Sequence, residues 1–215
     1  MRILAIEGAL ARCSAAVLAD GEIVASAMED AARGHPSLLP SMAQAVLARA
    51  GLRATALDAV AVGVGPGGFT GLRAAIALAE GIARGAGIPL VGVTTGEALA
   101  AALPGDGRVV WAAVDNRRGR VVLECFAAGT AVPRAPLVAP LDDLPRVDGP
   151  VLVLGDAAVA VAEILAARGA TVEARPGLPE AAAVARVAAR RLAGALPPRD
   201  GTPIYAEPPA VRAPA

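Results

Sequence analysis

Apolar positions change period along the chain. Arg2 to Ile6, Cys13 to Leu18 and Glu22 to Met28 are short runs with strand character, and Asp20-Gly21 forms a hairpin turn before the third. From Pro36 to Ala50 apolar residues recur every three or four positions, with Pro36 in the first turn and Gly51 just past the end, which predicts a helix. Leu57 to Val64 predicts a buried strand, Gly71 to Arg84 a long helix, Ile88 to Val93 a strand and Thr95 to Leu103 a helix. This half therefore reads β-β-β-α-β-α-β-α.

The breaker cluster Pro104-Gly105-Asp106-Gly107 divides the chain into expected lobes of residues 1–104 and 105–215. The second opens like the first. Strands are predicted at Val109 to Val114 and Arg120 to Ala127, about a turn at Asp115 to Gly119. A proline-rich connection from Pro133 to Pro150 reads as irregular. Val151 to Leu154 follows as a strand, Ala157 to Arg168 as a helix and Ala170 to Ala174 as a strand. Pro179 to Leu192 is an amphipathic helix, and the tail from Pro197 is extended, pinned if anywhere by Ile204-Tyr205. Antiparallel strands followed by α/β units in both halves predict mixed-sheet α/β architecture and a degenerate duplication.

The core this implies is thin. Apolar residues make up 55% of the chain, but 55 residues are alanine, and Trp111, Tyr205, Phe69 and Phe126 are the only large rings. Twenty basic and 20 acidic residues cancel, leaving no strong field to favour nucleic acid or an anionic membrane. No apolar run reaches the ~18 residues of a membrane span. Met1 to Ile6 enters the strand pattern without a signal-peptide layout, and Cys13 and Cys125 make no disulfide framework, so a reduced, cytoplasmic protein is expected. All 20 basic residues are arginine, which excludes Walker A, Schiff-base and Ser-x-x-Lys chemistry.

Gly63-x-Gly65-x-x-Gly68 matches the dinucleotide fingerprint. It follows three strands and a helix instead of opening the first βαβ unit, Pro66 removes a donor, and no acid ends the next strand. The turn is read as one that lets strand and helix pack closely. His35, the only histidine, has no ligand set near it in sequence and reads as a helix-start residue with a local hydrogen bond. No catalytic residue, metal or cofactor is expected. Glu7 and Asp115 each end the first strand of a half, where an acid could face a cleft or cap a turn. The two N-terminal helices carry a second face. Leu38, Leu39, Met42, Val46 and Leu47 spread over roughly 180°, wider than one core-facing stripe. Ala77, Gly81 and Gly85 align as small residues, and mid-helix glycine costs about 1 kcal/mol against alanine unless another backbone comes close. Internal helix packing and a partner-binding surface both fit this pattern.

Several blocks together resemble the TsaB (YeaZ) family: Arg2-Ile3-Leu4-Ala5-Ile6-Glu7, Arg33-Gly34-His35 leading into Leu38-Leu39-Pro40, Gly63-Val64-Gly65-Pro66-Gly67-Gly68-Phe69-Thr70-Gly71-Leu72-Arg73 and Gly87-Ile88-Pro89-Leu90-Val91-Gly92-Val93. Asp115 to Gly119, Gly155-Asp156-Ala157 and Pro203-Ile204-Tyr205 continue the match in order. The resemblance implies an actin-like/Hsp70-like (ASKHA) fold of two ribonuclease-H-like lobes, the second degenerate. It implies a non-catalytic subunit that pairs with the TsaD transferase to threonylcarbamoylate tRNA adenosine beside the anticodon. A TsaE ATPase subunit would join them, tRNA would be met only through the complex, and self-pairing is an option when the chain is alone. The implied interface is a bundle of the two N-terminal helices of each protein, carried here by Leu38, Leu39, Met42, Val46, Leu72, Arg73, Ala77, Gly81 and Gly85. The family usually begins Ile-Asp-Thr-Ser, where this chain has Ile6-Glu7-Gly8-Ala9, and usually reads Asp-Ala-Arg, where this chain has Asp115-Asn116-Arg117. The competing reading, a stand-alone ATP-binding phosphotransferase or ATPase of the same fold, needs hydroxyls after Glu7 and an adenosine pocket near Gly155.

Overall fold

The computed structural model describes residues 1–31, 33–101, 107–117 and 119–206. The predicted breakers Pro104, Gly105 and Asp106, together with Arg118 and the tail beyond 206, lie outside the described residues. The first half runs β1 (Arg2–Glu7), β2 (Arg12–Ala19), β3 (Glu22–Asp30), α1 (His35–Arg49), β4 (Ala59–Gly63), α2 (Phe69–Ala86), β5 (Leu90–Val93) and α3 (Thr95–Ala101). The second runs β6 (Val109–Asp115), β7 (Arg120–Phe126), β8 (Leu137–Pro140), β9 (Val151–Leu154), α4 (Ala158–Ala167), β10 (Val172–Arg175) and α5 (Ala181–Leu192).

One plan is used twice. The first sheet has the order β3-β2-β1-β4-β5, and the second, read in the same sense, β8-β7-β6-β9-β10. In each, three strands meander antiparallel and two more join in parallel. The connection expected to be irregular contains β8, which pairs with β7 through Arg120–Pro140 to Leu123–Leu137. Only Leu137, Val138 and Ala139 lie between Pro136 and Pro140, too short a run for any alternation to register. As an edge strand it tolerates Pro140, whose missing N–H interrupts no central ladder. The second helix also starts earlier than expected, at Phe69 rather than Gly71, with Gly68 as its N-cap.

The two halves exchange helices. Along β1, Leu4 and Ile6 face α1 and α2, joining Leu39, Val46, Ala75 and Ala79 in one core. Ile3 and Ala5 face the opposite way and are covered by Ala181, Val184, Ala185 and Ala188 of α5. Helix α5, from the second half, thus closes the first sheet, while α3 packs on β6 and β9 of the second. Leu99 of α3 shares a core with Ala112, Phe126, Leu152 and Leu154.

Polar bonds lock this exchange. Arg191 of α5, almost wholly buried, donates from Nη1 to the Gly92 carbonyl at 2.6 Å, from Nε to the Pro197 carbonyl at 2.6 Å and from Nη2 to Glu97 Oε1 at 2.5 Å. Glu97 Oε2 accepts the Thr94 N–H at 2.8 Å. Glu124 of β7 reaches across to α3, where Oε2 accepts the Gly96 N–H at 2.6 Å. Because an alanine-rich core brings backbones close, several glycines sit where no Cβ fits. At Gly63 an added Cβ would lie 1.9 Å from Glu7 Oε2, whereas at Gly81 it would meet nothing within 4 Å. Gly63→Ala should therefore destabilise the fold by about 1–3 kcal/mol through overpacking. Gly81→Ala should be neutral or stabilising by up to about 1 kcal/mol through helix propensity. Urea denaturation of both variants checks the contrast, and equal effects would contradict this packing.

Candidate functional site

A cleft of about 740 Å³ lies between the two sheets. One wall is built from residues 8–11 after β1, from His35 and from residues 66–71 entering α2; the other comes from residues 114–117 and Asp156. Ile204 and Tyr205 also line it. The glycine turn forms part of the wall, and its glycines answer to neighbouring atoms. A Cβ at Gly67 would lie 2.3 Å from the Ala9 carbonyl oxygen, and one at Gly71 would lie 2.3 Å from that of Gly8 and 2.8 Å from the His35 ring. Gly68 N–H donates to the Ala9 carbonyl at 2.6 Å, and Thr95 Oγ1 donates to the Pro66 carbonyl at 2.7 Å. The turn is a close-packing device between β1 and α2, as its context in the sequence indicates. His35 is buried and its Nε2 donates to the Leu10 carbonyl at 2.8 Å, a partner 25 residues away in the chain instead of the local one expected.

Glu7 does not face the cleft. It is fully buried behind Gly63, with Oε1 accepting the Ala9 N–H at 2.5 Å and Oε2 without a partner among the described residues. The longer side chain folds back under the turn. Asp115 does line the cleft, yet its Oδ1 caps its own turn by accepting the Arg117 N–H at 2.7 Å. Asp156 Oδ1 accepts the Asp115 N–H at 3.0 Å, and burial together with the Asp115 charge raises its carboxyl above the ordinary range. The Gly155 expected beside an adenosine pocket has φ +105, and a Cβ there would lie 2.2 Å from the Ala113 carbonyl oxygen. That glycine is a point of backbone contact. Among the described residues no group of three or more His, Cys, Asp or Glu side chains is placed to hold a metal ion.

The second candidate surface is the outward side of α1 and α2, which lie side by side on the first sheet. Here the structure divides the nine predicted residues. Leu39, Val46 and Leu72 are 0% exposed and belong to the chain's own core, so they offer no area to a partner. Helical geometry explains the correction, since 39, 43 and 46 fall on the face toward the sheet. Leu38 and Met42 are half-buried at the margin of that core. Arg73, Ala77, Gly81 and Gly85 are exposed. The inward face of α2 is Ala75, Ala79 and Ala83, so hydrophobicity alone could not distinguish the two small-residue faces. Sequence reasoning also missed that Tyr205 meets Phe69 and Arg73 at the start of α2, a contact between residues far apart in the chain.

Burial pushes the Glu7 carboxyl from 4.5 up to about 7. The unfolded chain releases this proton at the lower pH while the folded chain keeps it. The contribution to stability is therefore full in acid, falls between about pH 4.5 and 7 and then levels off. Glu7→Gln should remove that fall, so the stability difference between wild type and variant should change by on the order of 1–3 kcal/mol from pH 5 to 8. Urea denaturation across this range checks it; a constant difference would mean Glu7 titrates normally.

Residues 22–127 match the family of TsaD, tRNA N6-adenosine threonylcarbamoyltransferase. The chain is 41% identical over 124 residues to the tRNA threonylcarbamoyladenosine biosynthesis protein TsaB of Escherichia coli (strain K12), covering 56% of this chain and 53% of that protein. It spans about half the length of the curated relatives it matches. In three dimensions it is similar to YeaZ from Pseudomonas aeruginosa, with a TM-score of 0.79 and 26% identity over 95% of this chain and 99% of that one. It shares its fold with the activator of the 2-hydroxyisocaproyl-CoA dehydratase from Clostridium difficile, solved with bound ADPNP, at a TM-score of 0.52 and 10% identity over 91% of this chain and 97% of that one. The doubled sheet plan is thus the actin-like fold expected from the sequence. In sequence over about half its length, and in fold over nearly all of it, the chain is similar to the TsaB (YeaZ) proteins.

Proposed function

We propose that this chain is a non-catalytic assembly subunit in the threonylcarbamoylation of tRNA adenosine, and that it docks a TsaD-type transferase subunit through α1 and α2 of its N-terminal lobe, residues 1–104. The observation that carries this reading is the cost of Gly81 and Gly85. Each weakens an exposed helix by about 1 kcal/mol relative to alanine, yet a Cβ at either would meet nothing in the chain within 4 Å. Nothing among the described residues requires them to be glycine, and a backbone approaching from outside would. The match to the transferase family spans residues 22–127 and so includes both helices, which favours a partner presenting an equivalent pair. The enclosed Glu7, followed by Gly8-Ala9 with no hydroxyl, argues against phosphoryl transfer by this chain. A TsaE-type ATPase as further partner, tRNA contact through the complex only, and a cytoplasmic location complete the proposal.

Gly81→Leu places a side chain where the partner backbone would lie. It should weaken association with the transferase subunit about 5- to 150-fold, the equivalent of ~1–3 kcal/mol of overpacking. The melting temperature should hold or rise. Calorimetric binding and a thermal melt on the same variant check this, and unchanged affinity would refute the docking face. The purified chain alone should neither hydrolyse ATP above background nor modify tRNA; ATP turnover abolished by Glu7→Ala would refute the non-catalytic role.

A further inference from the structure

Two of the chain's four large aromatic side chains are exposed and meet at one place. Phe69, the first residue of α2, is 52% exposed and Tyr205 is 42% exposed, with ring centroids 5.9 Å apart. Arg73, one helical turn beyond Phe69, joins them. Its Cζ stands 3.8 Å over the Phe69 ring and 5.5 Å from the Tyr205 ring centre, and its Nε donates to the Tyr205 hydroxyl at 2.8 Å. An exposed arginine ordinarily samples many rotamers; here the guanidinium rests over a ring and its Nε is hydrogen-bonded. Arg2, Arg12, Arg84, Arg108, Arg175 and Arg191 each meet a carboxylate. Among the described residues no carboxylate pairs with Arg73, and its only bonded acceptor is the neutral hydroxyl of Tyr205. Its two terminal nitrogens form a fixed fork with no acceptor among the described residues.

Such a fork matches a carboxylate or a phosphate in bidentate geometry. Its surroundings favour a carboxylate on a protein. The next positions along the same line of α2, Ala77 and Gly81, are small and uncharged, and Glu80 is paired with Arg84. The chain has no net charge to draw a polyanion. An ion pair left in water contributes little. One covered at the centre of an interface, flanked by aromatic rings, has the composition of a binding hot spot. We propose that Arg73 anchors this face by taking a carboxylate from a helix of the partner subunit, and that Tyr205 is a positioning residue that aims the guanidinium. The extended segment after α5 thereby becomes part of the docking surface. This rests on the reading of α1 and α2 as the transferase-docking face.

The test measures affinity of the full-length chain for the transferase subunit, with a thermal melt on every variant. Arg73→Lys keeps the charge and loses the fork, and should weaken association about 10- to 100-fold at unchanged melting temperature. Tyr205→Phe keeps the ring and removes the hydroxyl, and should weaken it by a smaller factor while steepening its dependence on salt. Arg73→Glu should abolish association, and changing the matching acid on the partner helix to arginine should restore it. If Gly81→Leu weakens association but every Arg73 variant binds normally, the face docks a helix without this anchor and the proposal fails alone. If Arg73→Lys leaves that affinity intact but weakens capture of tRNA by the complex, the ligand is RNA phosphate and the proposal is overturned. If the wild-type chain does not bind the transferase at all, the docking reading falls and the anchor with it.

Discussion

Arg191 commits each nitrogen of its guanidinium to an oxygen of a different segment: the end of β5, α3 and the chain just after α5. Arg191, Glu97 and Gly92 lie out of water, so removing either side chain of the ion pair would strand a buried charge, at a cost of about 3–5 kcal/mol. The exchange of helices between the halves depends on this junction. Alanine-rich surfaces slide past one another with little penalty, because a methyl group carries almost no shape. In a core where Ala181, Ala185 and Ala188 meet Ala5, Ala16 and Ala61, directional polar bonds supply the register that larger side chains would otherwise give.

The same thinness explains the region between the sheets. The backbone of residues 8–9 touches the turn at 67–71 directly, and Glu7 is sealed beneath Gly63. The cleft between the sheets is open, and Asp115 and Asp156 border it. Glu7, at the end of the first strand, does not line it, and Asp115 is engaged in capping its own turn. Of the acids near the cleft, Glu7 is the one directed into the protein.

Element order was legible because period changes and turn residues are local signals: Asp20-Gly21, Pro36 and Gly51 each mark a boundary that holds to within a residue or two. What escaped was not local. Strand β8 has three residues between prolines and shows no pattern of its own. The inward side of α2 beyond its first turn is made of alanine, so Leu72 looked like a candidate for the surface when it is core; on α1 the apolar positions spread too widely to show that Leu39 and Val46 face inward. Arg191 stands beside Arg190 and Arg186 in a run that reads as a solvated face. Glu7 gave no hint of enclosure, since the glycine that admits it lies on another strand. The aromatic pair at the start of α2 is invisible until the last segment of the chain is folded back onto the first sheet.

That return has a consequence for biosynthesis. The face of the first sheet formed by Ile3, Ala5, Ala16, Leu18, Ala59 and Ala61 is complete in sequence once β5 has been made, yet its cover is α5. On a ribosome moving at about 5–20 residues per second, the interval from Val93 to Ala181 lasts on the order of 10 s. For that time an apolar sheet face stands uncovered beside the nascent chain. The second half therefore has to emerge and fold before the first can finish. Premature termination anywhere in that stretch would release a species with one finished sheet face and one adhesive one, a substrate for chaperones and proteases.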